Sequence, residues 1–391
     1  MTCIYCDGQR KDDRMSLEHI WPQSLGGAVA GPLFQTRSVC QTCNNLAGIW
    51  IDGAFLKSWL VSHEASFAAR QYLDPKRPGP SLLTYMGIDQ EFPVQREEIC
   101  ERWVGPAGEH VYHIHVRDDD RWYGYAGGDF IKRKRLDGGR AYLVLTSRVN
   151  YWSLTGLYSF VEHFSDISTR LFCLTVVVGM PSDLEARFVA QRGCTEVERK
   201  EIDWIKGRQE NKVSMMNIAL RIDFSDRFLA KIALGVGANI LGKRFLETAY
   251  VKELRKLLWL KDPDEKSKIR VRGTNIWNAE KTAGVSNILS WGGAWTLFFW
   301  AQPEQFSLHI CTPSSRGMNV VISDEPELWR AEQFDDYKHG AIFIVIPERK
   351  CFSGPVGLAA YLNHRNGHNI DPNLASLEAL RIDPGVLPGP R

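Results

Sequence analysis

At 391 residues, with 44% hydrophobic and 24% charged content, the chain has the composition of an ordinary soluble globular protein and the length for two or three domains with real cores. No run of 18 apolar residues occurs, and Met1-Thr2-Cys3-Ile4-Tyr5-Cys6 is neither a basic nor an apolar leader. A membrane span and a secretory signal are therefore not expected, and the expected location is the cytoplasm. A formal net charge of +2 does not by itself announce a nucleic-acid binder.

The densest pattern lies at the start, in residues 3–48. Cys3 and Cys6 form one C-x-x-C pair, and Cys40 and Cys43 form another, with 33 residues between the pairs. Two cysteines two residues apart can grip one tetrahedral ion from a tight turn, and two such turns complete a four-thiolate zinc site. The interval exceeds the usual ribbon spacing. It holds the segment Glu18-His19-Ile20-Trp21-Pro22, followed by Gly26-Gly27 and Gly31-Pro32, which suit a loop. The last cysteine runs directly into Asn44-Asn45.

Apolar residues from Leu46 to Val61 recur at helical spacing. His63 follows on the same helix and reads as structural. Asp74-Pro75-Lys76-Arg77-Pro78-Gly79-Pro80 is a cluster of helix and strand breakers and the expected linker. The chain then reads as strand-rich to about residue 220, with strands expected at 111–116, 141–146 and 171–178. His113 and His115 share one face of the first of these. Paired histidines can bind a metal, but no third ligand is visible in the sequence, so a structural role is expected. Asp118-Asp119-Asp120 reads as a solvated turn.

Helices are expected over 221–260. Ser225 is the N-cap, Phe228, Leu229, Ile232, Val236 and Ile240 form one stripe, and a second helix covers 245–259. Gly235, Gly237 and Gly242 weaken the first helix or allow close packing. Short strands at 308–312, 320–323 and 341–346 and a helix at 356–363 follow, before a Pro- and Gly-rich tail that should fray. Trp277, Trp291, Trp295 and Trp300 read as core residues first and as base-stacking platforms second. The five cysteines outside the pairs (Cys100, Cys173, Cys194, Cys311 and Cys351) read as free thiols of a reducing compartment.

Charge is distributed unevenly. Residues 1–75 carry six Lys/Arg and seven Asp/Glu, so this stretch is not basic. Lys132-Arg133-Lys134-Arg135 and the run from Lys243 to Arg272, with ten Lys/Arg against five Asp/Glu, are the candidate phosphate-contacting stretches. Solvated faces of mixed charge are the alternative for both.

Over about residues 1–60 the chain resembles an HNH endonuclease of the ββα-metal, or His-Me finger, superfamily, in the subtype with a four-cysteine zinc knuckle. The resemblance implies an α+β protein with a zinc-stapled nuclease module at residues 1–75. A larger mixed α/β region would follow at 76–391, with a break near 220. It implies that His19 is the general base, and that Glu18 and Asn44 hold a catalytic divalent ion, Mg2+ or Mn2+. Cys3, Cys6, Cys40 and Cys43 would hold structural zinc. Gln35 stands where the family usually has Asn, which leaves the loop-fixing role open. The implied substrate is DNA, the implied setting bacterial anti-phage defence. The C-terminal region would answer to an activating nucleic acid, a nucleotide messenger or a protein partner, with oligomerisation on activation. Two alternatives remain: a zinc-stapled nucleic-acid-binding module without cleavage, and an effector subunit active only with a guide-binding partner.

Overall fold

The computed structural model describes residues 1–56, 58–74, 76–116, 139–146, 150–209, 223–260, 265 and 268–382. The basic run Lys132–Arg135, the Asp118–Asp120 turn, the expected break near 220 and the Pro-rich tail from Pro384 lie outside these residues. The protein is mixed α+β. It divides into two compact units, Met1–Phe55 with Ile222–Arg381, and Leu56–Arg221 with Ile382–Arg391.

That division differs from the 1–75 and 76–391 expected from the sequence, and the reason is aromatic packing. Trp21 and Phe34 are fully buried. Trp21 packs edge-on against Phe228 and Trp295, with ring centroids 6.0 and 5.5 Å away. Phe34 meets Phe299, Phe343 and Phe352 at 6.1, 5.4 and 5.8 Å. Fully burying side chains of this size contributes about 1.5–3 kcal/mol each. The first 55 residues therefore share a core with strands that lie between Trp295 and Gly357.

The first unit opens with strand β1 (Met15–His19), paired antiparallel with β2 (Gln35–Cys40) across a bulge between Ser16 and Glu18. Helix α1 (Gln41–Ala47) starts where β2 ends and runs into a π-helical turn at Gly48–Gly53 and a short helix α2 (Ala54–Leu56).

The second unit begins with α3 (Trp59–Tyr72), where His63 stacks on Trp59 at 5.7 Å. Its sheet runs in the order β3 (Thr84–Ile88), β4 (Glu98–Val104), β5 (His110–Val116), β6 (Arg140–Val144), β7 (Arg170–Cys173). All neighbours are antiparallel except β6 and β7, which are parallel and joined through α4 (Asn150–Phe164). Side chains alternate across a strand, so the sheet has two apolar faces. Trp103, Val111, Ala141 and Leu143 pack with Leu157 and Phe160 of α4. Cys100, Tyr112, Ile114 and Tyr142 pack on the other side with Ile202 and Ile205 of α6 (Glu196–Gln209), which follows the one-turn α5 (Ser182–Glu185). The strand expected over 171–178 stops at Cys173. Leu174 N–H still donates to the Leu143 carbonyl, but the Leu145 N–H is then taken by the Thr175 side-chain hydroxyl instead of a backbone carbonyl, which ends the ladder, and Val176 and Val178 are 92% and 88% exposed.

The chain returns to the first unit with α7 (Asp223–Leu241), α8 (Lys243–Leu246) and α9 (Ala249–Trp259). Ser225 lies inside α7, buried, rather than capping it. Thr248 caps α9 by accepting from the Val251 N–H at 3.3 Å. A six-stranded sheet completes the unit, in the order β13 (Cys351–Gly357), β12 (Ala341–Ile346), β9 (Trp295–Ala301), β10 (Phe306–Cys311), β11 (Gly317–Ser323), β8 (Gly273–Thr274). Trp291 and Trp295 are core residues, whereas Trp300 is 41% exposed. No helix among the described residues is long and apolar enough to cross a membrane.

Candidate functional site

The two C-x-x-C turns meet. The Sγ atoms of Cys3, Cys6, Cys40 and Cys43 lie within 4.8 Å of one another, and three of the four residues are buried. A hydrogen bond from the Cys43 thiol, helped by the backbone N–H groups of Cys40, Tyr5 and Cys6, outweighs burial and pulls the Cys3 thiol down to about 4. One thiolate is thus already favoured, and four sulfur donors at one point fit structural zinc. Helix α9 braces the first turn from outside the cysteine motif. Arg255 Nε donates to the Ile4 carbonyl at 3.0 Å, Trp259 Nε1 donates to the Tyr5 carbonyl at 3.0 Å, and the Arg255 guanidinium pairs with Asp7 at 3.1 Å.

His19 ends β1, opposite Gln35 on β2. It is half-buried, and its Nε2 lies 3.3 Å from Gln23 Nε2. Partial burial, then the positive charge of Lys231, hold the imidazole below its ordinary value. The ring is neutral near pH 7 and able to take a proton. Gln35 does fix the loop: its Nε2 donates to the carbonyls of Gly27 and Ala30 at 3.2 and 3.3 Å. The loop is tight enough that only glycine fits at 27, where a Cβ would stand 1.8 Å from the Trp21 carbonyl oxygen. Beside this strand end lies a shallow depression lined by Leu17, Ala30, Pro32, Gln35, Thr36 and Arg37. Arg37 is exposed there. One arginine in a strand carries no motif, so the sequence alone does not mark it.

Glu18 points the other way. Neighbours on a strand face opposite sides, and Glu18 is 2% exposed. Its Oε1 accepts from Lys231 Nζ at 2.8 Å and from the Tyr5 hydroxyl at 3.3 Å. Lys231, fully buried on α7, also reaches Asp52 Oδ2 at 2.6 Å and the His19 carbonyl at 2.9 Å. Burial works against the ammonium, but Asp52 and Glu18 together raise its proton affinity. Burial pushes the Asp52 carboxyl up to about 6 against the pull of Lys231. Glu18 shares that ammonium with Asp52, so a divalent ion on Glu18 would have to displace it from two carboxylates.

Asn44 lies half-buried on α1, and its Nδ2 donates to Ser16 Oγ at 3.0 Å and to the Leu17 carbonyl at 2.8 Å. It ties α1 to the strand carrying His19, with its amide oxygen directed away from those bonds. His19 and Asn44 thus belong to one β1–α1 corner, as the motif implies.

Helix α7 supports that corner at four-residue intervals. Lys231 holds the His19 carbonyl. Gly235 lies so close to Ile20 that a Cβ would meet its side chain at 2.6 Å. Asn239 Nδ2 donates to the carbonyls of Leu33 and Gln35 at 2.9 and 2.8 Å. Residues four apart share one face of a helix, so one stripe of α7 underlies both ends of the loop. Of these, Gly235 is the one the sequence marks, as a place of close packing.

Four of the ten Lys/Arg of the second basic stretch are paired within the protein. Arg255 braces the knuckle, Arg270 pairs with Asp226 at 2.6 Å, Lys256 with Glu265 at 3.6 Å, and Arg272 with Glu253 at 3.2 Å and with Asp324. The run's count of ten therefore overstates what it can offer to phosphate, while Lys243, Arg244, Lys252 and Lys268 are exposed.

Comparison with known proteins agrees with the corner. A family model described as HNH endonuclease matches residues 3–60. No family is recognised in the C-terminal region. No curated protein and no solved structure matches the chain. The matched domain supports a nuclease and implies a nucleic-acid substrate.

Proposed function

We propose that the β1–α1 corner hydrolyses phosphodiester bonds in DNA, with His19 as general base. His19 takes a proton from a water whose oxygen attacks phosphorus. The bond from phosphorus to the 3′ oxygen breaks, and the departing oxygen is protonated from solvent, giving a 5′ phosphate and a 3′ hydroxyl. The observation that carries this reading is the neutral, half-exposed imidazole of His19 at a strand end whose backbone is fixed by β2 and by Lys231. Arg37, exposed on β2 two residues from Gln35, suits the phosphate charge.

HNH nucleases use divalent metals, and Mg2+ or Mn2+ is the ion we expect. The donors presented here do not fit a tightly held hard cation, because Asn44 offers one neutral amide oxygen and Glu18 is engaged by Lys231. That engagement favours, as the second reading, a zinc-stapled module that binds nucleic acid without cutting it. We further assign to the chain beyond the matched domain a role in directing or withholding cleavage. Its trigger would be a nucleic acid, a nucleotide messenger or a protein partner, its activation would include oligomerisation, and its setting bacterial anti-phage defence. The grounds are the size of that region and the resemblance of residues 1–60.

The test is plasmid cleavage by the full-length protein with Mg2+, with Mn2+ and with EDTA, alone and with candidate triggers. His19→Ala should lower the rate by roughly 10²–10⁴-fold at unchanged zinc content. Binding without cleavage under every condition would select the second reading.

A further inference from the structure

We propose that Glu101, His113 and His115 form a second metal site, inside the second unit, for a divalent ion of the zinc type. The site has no part in the region matched by the nuclease family. Its residues come from two adjacent strands. Glu101 on β4 stands directly opposite His113 on β5, and His115, two residues further on, shares that face. Each side chain is about 1% exposed. One ligand atom from each lies within 4.8 Å of the other two.

The spacing suits an ion. Bonds of about 2 Å to a tetrahedral zinc place its ligands about 3.3 Å apart. His113 Nδ1 is 3.2 Å from Glu101 Oε2, and His115 Nε2 is 3.7 Å from Glu101 Oε1. The two rings stack with centroids 4.6 Å apart. Trp103 Nε1 donates to Glu101 Oε2 at 3.4 Å and orients the carboxylate.

The tautomer of His115 adds an independent observation. Its Nδ1 lies 2.9 Å from the Val116 carbonyl oxygen. A carbonyl only accepts, so Nδ1 carries a proton. In the neutral ring Nε2 then carries the lone pair, on the side of Glu101 Oε1 at 3.7 Å, as a metal ligand requires. Metal-bound histidines characteristically donate their second N–H to a backbone carbonyl or carboxylate, the arrangement His115 makes. Two imidazoles and a carboxylate suit zinc rather than magnesium or calcium, which prefer all-oxygen shells. A water would complete four-coordination. Enclosed as it is, the ion would clamp β4 to β5 and serve structure.

Metal counting on full-length protein purified without chelator tests this. The expected content is two zinc per chain, one at the four cysteines and one here. Glu101→Gln and His115→Asn should each lower it to one, and Cys40→Ser should also leave one. Because core variants can fail to fold, the parent protein expressed in cobalt-supplemented medium supplies a readout without substitution. Two cobalt ions should bind, one giving thiolate-to-metal charge-transfer absorption and the other only weak visible bands of nitrogen and oxygen coordination. One metal per chain in the parent, with all cobalt absorption of the thiolate type, would overturn the proposal.

Discussion

The two faces of strand β1 do opposite work with adjacent residues. His19 looks toward solvent beside the depression that holds Arg37, and its environment keeps it neutral. Glu18 looks inward and is bound to an ammonium carried by α7. The motif lists the two side by side, and a motif reading gives both to the same chemistry. The pleat separates them, and a lysine 213 positions from Glu18 decides what the inner face becomes. Proximity in sequence is thus a weak guide to shared function when a residue's partner arrives from far along the chain.

The largest expected effect concerns the staple on which both faces rest. Cys40→Ser removes one of the four sulfur donors of the cluster fitted to zinc, and structural zinc contributes on the order of 10 kcal/mol of folding free energy in small modules. Because Trp21 and Phe34 of the same segment are core residues of the first unit, we expect the loss to spread to 222–381 rather than stay within 1–60. Loss of zinc, together with Trp fluorescence shifted to the red, would show this. A variant that keeps its zinc and its spectrum would break the comparison at its base.

Next comes the inner face. Lys231→Met leaves Glu18 and Asp52 buried without their cation, and breaking a buried pair in this way costs about 3–5 kcal/mol. Denaturant unfolding measures it. Glu18→Gln in the same background should restore part of the loss, and no restoration would mean that the pair is not the unit described.

The outer face gives a smaller, sharper effect. The base must be unprotonated, so cleavage should rise with pH through the folded-state value of His19 and level off above it. Burial and Lys231 lower that value, so the rise should be complete at a lower pH than for an unperturbed imidazole. Lys231→Met, where it folds, removes one of the two causes and should move the rise to higher pH. A rise centred above pH 6.5 in the parent would contradict the assignment of His19.

Much of this site was legible from residues 1–60. The cysteine spacing predicted the cluster, and His19 and Asn44 fall at the strand end and the helix expected of them. Gln35 keeps the loop-fixing role through its amide N–H groups. What was not legible depends on register and on distant partners. The apolar stripe of α7 was readable from Phe228, Ile232 and Val236. Of the working stripe, Gly235 was readable as a place of close packing, but Lys231 and Asn239 were not, because a lysine and an asparagine mean little until the hairpin they hold is in place. Glu101 was invisible for the same reason, since nothing in the sequence says that it stands opposite His113. The two helices on the sheet of the second unit were missed within a stretch dominated by strand-like apolar runs. The division into units was expected at the proline cluster near 75, because linker composition was visible and the aromatic packing of Trp21 and Phe34 was not.

The most direct test sets Glu18→Gln beside His19→Ala in the full-length protein, measuring plasmid cleavage and the unfolding midpoint of each. His19→Ala should lose cleavage and keep its stability. Glu18→Gln should keep most of its cleavage and lose about 1–3 kcal/mol, the scale of a hydrogen bond to a buried charge. If instead Glu18→Gln is as inactive as His19→Ala and just as stable as the parent, Glu18 serves the reaction directly, and the separation of the two faces proposed here is wrong.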